Sequence, residues 1–146
     1  MSNQIHWQVF LKVSSREKAD RLLKEVARLI GRELTLLECE RYWKDKSLFG
    51  ATFRTAIDSE ECAPAVLEAL QTCGRLARSW TVGPPQFYEG GRWEFSGGAT
   101  SPGIKLAGVT HIDFQVGNVE STEPKSPSVH QESDSPVPIA PSEAGQ

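Results

Sequence analysis

Two polar residues in the last apolar segment have the types and the spacing for acid–base chemistry. His111 and Asp113 stand two positions apart among alternating apolar residues, so on a strand they lie on the same face of the sheet. A carboxylate beside a histidine can orient the imidazole, and such a pair can act as general acid and base or share a metal ion. They are the candidate catalytic residues. A solvated sheet face without any function is the simpler interpretation, and we favour it.

Three further polar residues, His6, Arg54 and Glu94, are expected on that same face. A metal site would need a third ligand beside His111 and Asp113, and His6 is no more than a candidate, so neither a metal nor a cofactor is predicted. The chain has no G-x-S-x-G, G-x-x-x-x-G-K-[ST] or H-E-x-x-H pattern. The common enzyme classes are therefore not indicated, and a non-catalytic protein is favoured.

Aromatic residues concentrate at positions 80–98, WTVGPPQFYEGGRWEFSGG. Trp80, Trp93 and Phe95 fall in short strand patterns and are expected to pack in the core. Phe87 and Tyr88 stand between Gly-Pro-Pro and Glu-Gly-Gly, which are turn signals, so packing explains them least well. Together with Phe10, Arg54 and Glu94, these two rings form the predicted binding surface.

Hydrophobic periodicity predicts the elements that position these residues. Strands are predicted at 5–13, 33–43, 48–57, 79–82, 92–96 and 109–116. A helix follows the first strand, with Ser14 as its N-cap and Gly31 at its end, and a second helix runs from Asp58 or Ser59 to Gly74. In the second strand, Leu34 and Leu36 are assigned to one face, and Leu37, Cys39 and Arg41 to the other.

This order predicts an α+β fold, a ferredoxin-like βαββαβ antiparallel sheet with two helices on one face and an extra C-terminal β-hairpin. VFLKV at 9–13 resembles the first-strand motif of RNA-recognition domains, with Phe10 at the base-stacking position. The third strand, however, keeps Phe49 and Phe53 on the expected core face, so its other face cannot stack bases. The net charge of −3 agrees, and nucleic-acid binding is not expected.

Composition divides the chain into two parts. Residues 1–117 are predicted to form one domain, and residues 118–146, rich in Ser, Pro and Glu, a disordered tail. Three widely spaced cysteines without a secretory signal or a membrane-spanning run predict a cytoplasmic protein.

The predicted function is a non-catalytic binding or interaction domain, of the regulator or small-inhibitor type, that acts through the aromatic-bearing loop and the open sheet face. Its partner would be another protein or a second copy in a homodimer. The alternative is a small-molecule-binding domain or enzyme, with a cleft between the sheet face and residues 80–98 that uses His111 and Asp113.

Overall fold

The computed structural model describes residues 3–118 and the strand Val137–Ile139, which together contain two helices and eight strands. Along the chain these are β1 (Gln4–Leu11), α1 (Arg16–Ile30), β2 (Leu34–Arg41), β3 (Phe49–Ala56), α2 (Cys62–Leu76), β4 (Thr81–Val82), β5 (Gln86–Tyr88), β6 (Arg92–Thr100), β7 (Val109–Gly117) and β8 (Val137–Ile139). The strands form one sheet in the order β4-β6-β7-β1-β3-β2-β8, and β5 also pairs with β6. Every pairing is antiparallel.

The α+β class, with an antiparallel sheet and two helices, is confirmed, but the strand order differs from the ferredoxin-like one. After α2, the chain forms β4, β5 and β6 before β7 pairs with β1. The reason lies in the segment after α2. Gly83-Pro84-Pro85 stops β4 after two residues, since proline cannot donate to a ladder, so this strand is too short to pair along the eight residues of β1.

Local signals place the ends of α1. Gly31 adopts the left-handed conformation (φ 81°) and donates its N–H to the carbonyl of Ala27, as predicted. The predicted N-cap is wrong by one residue. Ser15 is extended and its hydroxyl accepts the N–H of Lys18 at 3.2 Å, whereas Ser14 lies outside the helix.

One face of the sheet and both helices enclose the core. Trp7 lies at its centre, stacked near Phe53 and tilted against Phe114, and its indole N–H donates to the hydroxyl of Thr55 at 2.9 Å. Both partners of this hydrogen bond are buried, so it satisfies a donor that would otherwise be costly to enclose.

The predicted faces of β2 are wrong after Leu37. The register of β2 against β3 shifts between Leu36 and Glu38, so Leu37 is an extra residue in the strand. Cys39 consequently joins the buried residues of the core, and Glu38 is exposed on the opposite face. A single bulge thus reverses the alternation read from the sequence.

Among residues 3–118 and 137–139, no helix is long and apolar enough to span a membrane. Strand β8 falls within the segment predicted to be disordered, where it pairs with β2. The remainder of that segment, residues 119–136 and 140–146, lies outside the described residues.

Candidate functional site

The face of the sheet opposite the helices, here called the open face, is not covered by any described element. Its central strands carry three rows of facing residues: Arg54–His6–Gln115, Thr52–Gln8–Asp113 and Gly50–Phe10–His111. Facing residues on neighbouring antiparallel strands have their Cβ atoms about 4.5–5.5 Å apart. The register therefore places His6 on β1 beside Arg54 on β3, and Phe10 on β1 beside His111 on β7.

A concavity of about 960 Å³ lies on the open face. Polar side chains from four strands line it, among them His6, Gln8, Thr52, Glu94 and Asp113. The concavity is open to solvent along its length, which suits a surface or an extended segment as well as a small ligand.

Glu94 is held at one side of this concavity by two hydrogen bonds. The hydroxyl of Tyr88 donates to Oε2 at 2.9 Å, and the amide nitrogen of Gln115 donates to Oε1 at 2.8 Å. The hydrogen bond to Glu94 raises the pKa of Tyr88 above its usual value. Both carboxylate oxygens are thus held in place by hydrogen bonds.

An aromatic cluster occupies the other end of the open face. The ring of Phe10 lies 4.8 Å from that of Tyr42 and 5.9 Å, edge-on, from that of His111. Trp43 continues the cluster 6.3 Å from Tyr42 and is 76% exposed. A Cβ at Gly50 would lie 3.3 Å from the Phe10 ring, so glycine at this position gives the ring its room.

Asp113 also lies against a glycine. A Cβ at Gly98, which faces Asp113 across β6 and β7, would lie 2.5 Å from its Oδ1. The carboxylate therefore occupies space that any other residue at position 98 would fill. His111 belongs to the neighbouring row and does not line the concavity, and within the described residues no hydrogen bond joins it to Asp113.

Carboxylates outnumber cations at the strand positions of the open face. Its acidic residues are Glu38, Glu40, Glu94 and Asp113, and its guanidinium groups are Arg54 and Arg92. A hydrogen bond to Glu40, partial burial and repulsion by Glu40 raise the pKa of Glu38. Partial burial is the larger cause, and the positive charge of Arg54 the smaller cause, of a pKa of His6 below 6.5. At neutral pH its imidazole therefore adds no positive charge to the open face.

The predicted site residues are only partly brought together. His6, Glu94 and Asp113 line the concavity, and Arg54 lies in the row of His6, with its Nε buried and without a hydrogen-bond partner among the described residues. Phe10 marks the aromatic end. Tyr88 reaches Glu94 on the open face.

Phe87 is separated from the other predicted residues. It pairs with Trp93, which is buried on the helix side of the sheet, so its ring projects to the side opposite Tyr88. It is 70% exposed there. The rings of Phe87 and Tyr88 therefore lie on opposite sides of the sheet, and they cannot both contact a partner bound to the open face.

Sequence reasoning missed Glu38, Glu40, Tyr42 and Trp43. Strict alternation from Leu34 assigns both glutamates to the core side, an arrangement that the bulge at Leu37 reverses. The available signal was the pair of carboxylates itself, since two unpaired glutamates are too costly to bury and must turn outward.

The part of the chain that the structure describes contains no group of three or more His, Cys, Asp or Glu residues arranged to hold a metal ion. The thiols of Cys39, Cys62 and Cys73 are unpaired, and burial raises the pKa of Cys73 to about 12, which makes it a poor nucleophile.

Comparisons with protein-family models, curated proteins and solved structures found no match to this chain.

Proposed function

We propose that this protein is a non-catalytic interaction domain, of the regulator or small-inhibitor type, whose open face binds a positively charged surface of another protein. The observation that carries the proposal is the uncovered acidic face. Carboxylates outnumber guanidinium groups at its strand positions, and two of them, Glu94 and Asp113, line a concavity of about 960 Å³. Complementary charge speeds association and selects among partners.

The pair Glu38 and Glu40 supports a cationic partner in particular. The hydrogen bond to Glu40 is the largest cause of the raised pKa of Glu38. Partial burial and the repulsion between the two carboxyl groups raise it further. An arginine or lysine side chain placed between them would relieve that repulsion. Binding of such a side chain is therefore expected to lower the pKa of Glu38.

The neighbouring aromatic cluster supplies contact area. Trp43 is 76% exposed, and the Nζ of Lys44 lies 5.1 Å over its ring, so the ring already accepts a cation from its own chain. Tryptophan, tyrosine and arginine dominate the binding energy of protein interfaces. Trp43 and Tyr42 next to Glu40 thus form a surface on which a basic side chain of the partner can be both stacked and paired.

The same charges argue against two other occupants of the open face. Nucleic acid would meet carboxylates instead of a basic surface. A homodimer formed by two open faces would oppose like charges, so a partner of different sequence suits the face better than a second copy. The unpaired thiols support placing this interaction in a reducing, cytoplasmic setting.

The proposal can be tested with defined peptides in place of the unidentified partner. The isotope-labelled full chain is titrated with a peptide of alternating arginine and glycine, and separately with a matched peptide of glutamate and glycine, while backbone amide shifts are recorded. Only the cationic peptide is expected to bind, with shifts at residues 6–10, 38–42 and 111–115. Its affinity should fall as salt is raised.

Matched variants distinguish the open face from general acidity. Glu40→Gln with Asp113→Asn removes two open-face charges and is expected to weaken binding of the cationic peptide at least about fivefold. Glu17→Gln with Glu33→Gln removes two exposed charges elsewhere and serves as control. Equal losses in both variants, or shifts confined to the helices, would refute the proposed surface.

A small-molecule ligand in the same concavity is the second candidate, because a volume of about 960 Å³ lies at the upper end of typical ligand sites. The carboxylate of Asp113 would bind the polar group of such a ligand. The sequence suggested this role for Asp113 in either a binding domain or an enzyme. Thermal-shift screening of metabolites and divalent metals tests this alternative. A ligand that raises the melting temperature of the wild type but not of Asp113→Asn would favour it over protein binding.

A further inference from the structure

A surface separate from the open face is the sheet edge formed by β2. An edge strand presents unpaired N–H and C=O groups, and proteins cover or interrupt such edges to prevent unwanted strand pairing. In β2 the bulge at Leu37 interrupts the edge, and the charged residues Glu38, Glu40 and Arg41 follow it. The part of this edge that precedes the bulge and carries no charged side chain comprises residues 34–36.

The chain covers these three residues with β8. In the antiparallel register, Leu34 lies opposite Ile139, Thr35 opposite Pro138, and Leu36 opposite Val137. Pro138 has no N–H, so only Val137 and Ile139 of β8 have a backbone N–H group. The central residue of β8 therefore cannot donate a hydrogen bond to a further strand. Its length matches the part of the edge that precedes the bulge.

The opposite edge of the sheet is interrupted in a similar way. There the short strands β4 and β5 both pair with β6, and Gly83-Pro84-Pro85 separates them. Each edge thus ends in a strand of two or three residues with proline within or beside it. Only β8 comes from a distant part of the chain, since residues 119–136 separate it from the end of the domain.

We propose that residues 34–36 of β2 form a strand-docking site and that Val137–Ile139 of the same chain is its exchangeable occupant. The site takes an extended segment in which a proline stands between two apolar residues. A tethered segment acts at an effective concentration on the order of millimolar. The chain's own strand therefore excludes free peptides of the same sequence below that concentration. This inference is independent of the proposed function of the open face.

The first test disables β8 in the full-length chain. Val137→Pro with Ile139→Pro removes the two remaining N–H groups of the strand, and Val129→Pro with Ala144→Pro adds the same two prolines elsewhere as control. In the β8 variant, amide hydrogen exchange within residues 34–36 is expected to accelerate at least about tenfold, with no change in the control. A labelled peptide of residues 135–141, SPVPIAP, should bind the β8 variant and not the wild type.

The second test locks β8 in place. Thr35 and Pro138 are register partners, whose Cα atoms lie about 4.5–5.5 Å apart, within the range that a disulfide can bridge. Thr35→Cys with Pro138→Cys is expected to form an oxidised monomer, whereas each single variant controls for linkage to Cys62.

Three results would overturn the inference. Unchanged exchange within residues 34–36 of a folded β8 variant would show that β8 does not cover the edge. Failure of the peptide to bind that folded variant would show that the edge is not a docking site. A disulfide-linked dimer from the double-cysteine chain would assign the occupying strand to a second copy.

Discussion

The exposed rings of Trp43 and Phe87 offer a direct test of which side of the sheet makes contact with a partner. They are 76% and 70% exposed, respectively, and lie on turns or edges of the sheet. Trp43 adjoins the aromatic end of the open face, whereas Phe87 projects to the helix side. Truncating each to alanine therefore removes a similar exposed ring from two different surfaces.

The structure sets the expected cost in stability. An aromatic side chain buries about 150–250 Å² when fully enclosed, so the fraction covered here amounts to roughly 40–70 Å² for each ring. At about 25 cal/mol per Å², Trp43→Ala and Phe87→Ala should each lower the free energy of unfolding by no more than about 1–2 kcal/mol. Phe95, only 4% exposed, provides the contrast, since Phe95→Ala should cost about 3–5 kcal/mol.

Binding is expected to separate the two exposed rings. Trp43→Ala should weaken binding of the cationic peptide by about 2 kcal/mol, roughly thirtyfold, as truncation of an interface anchor does. Phe87→Ala should change the affinity by less than about twofold, because its surface is not engaged. Denaturant titration and isothermal calorimetry give the two quantities. Equal loss of binding in both variants, or a core-like loss of stability for Trp43→Ala, would refute the assignment of surfaces.

Three further predictions follow from single groups. Thr55→Val leaves the buried indole N–H of Trp7 without its acceptor and should cost about 1–3 kcal/mol in denaturant titration, with a smaller effect when Trp7→Phe is already present. Glu38→Gln should match the wild type in stability at about pH 3 and exceed it at about pH 7. The raised pKa of Glu38 means that the folded state disfavours its charged form, so the wild type loses stability as the pH rises. For His6 the sign is opposite. Its lowered pKa gives stability that is present above pH 6.5 and lost on acidification, so His6→Gln should flatten the melting temperature between about pH 7 and pH 5, and a profile unchanged from the wild type would contradict this.

Most of the elements were predictable because their signals are local. The alternation in β1 and β7, the apolar stripe of α1 and the glycine that ends it all read directly from neighbouring residues. The position of β7 beside β1 could not be predicted in this way, because it depends on how far β4 can extend before Gly83-Pro84-Pro85. The convergence of His6 and Asp113 followed from strand parity, whereas the placement of Phe87 required its register against Trp93.

The bulge at Leu37 connects the core to the charge of the open face. With uninterrupted alternation after Leu36, the side chains of Glu38 and Glu40 would enter the core and Cys39 would face solvent. Burial of two carboxylates costs several kcal/mol each even after relaxation, whereas a cysteine packs in the core as a small apolar side chain. The extra residue resolves this conflict by sending both glutamates outward.

The same residue decides which partner the open face can bind. Regular alternation would also have turned Arg41 toward the open face, whereas in the structure its guanidinium lies 4.6 Å over the Phe49 ring on the other side. The bulge therefore adds two carboxylates to the open face and withholds one cation from it. The preference for a cationic partner thus originates in a packing requirement of β2.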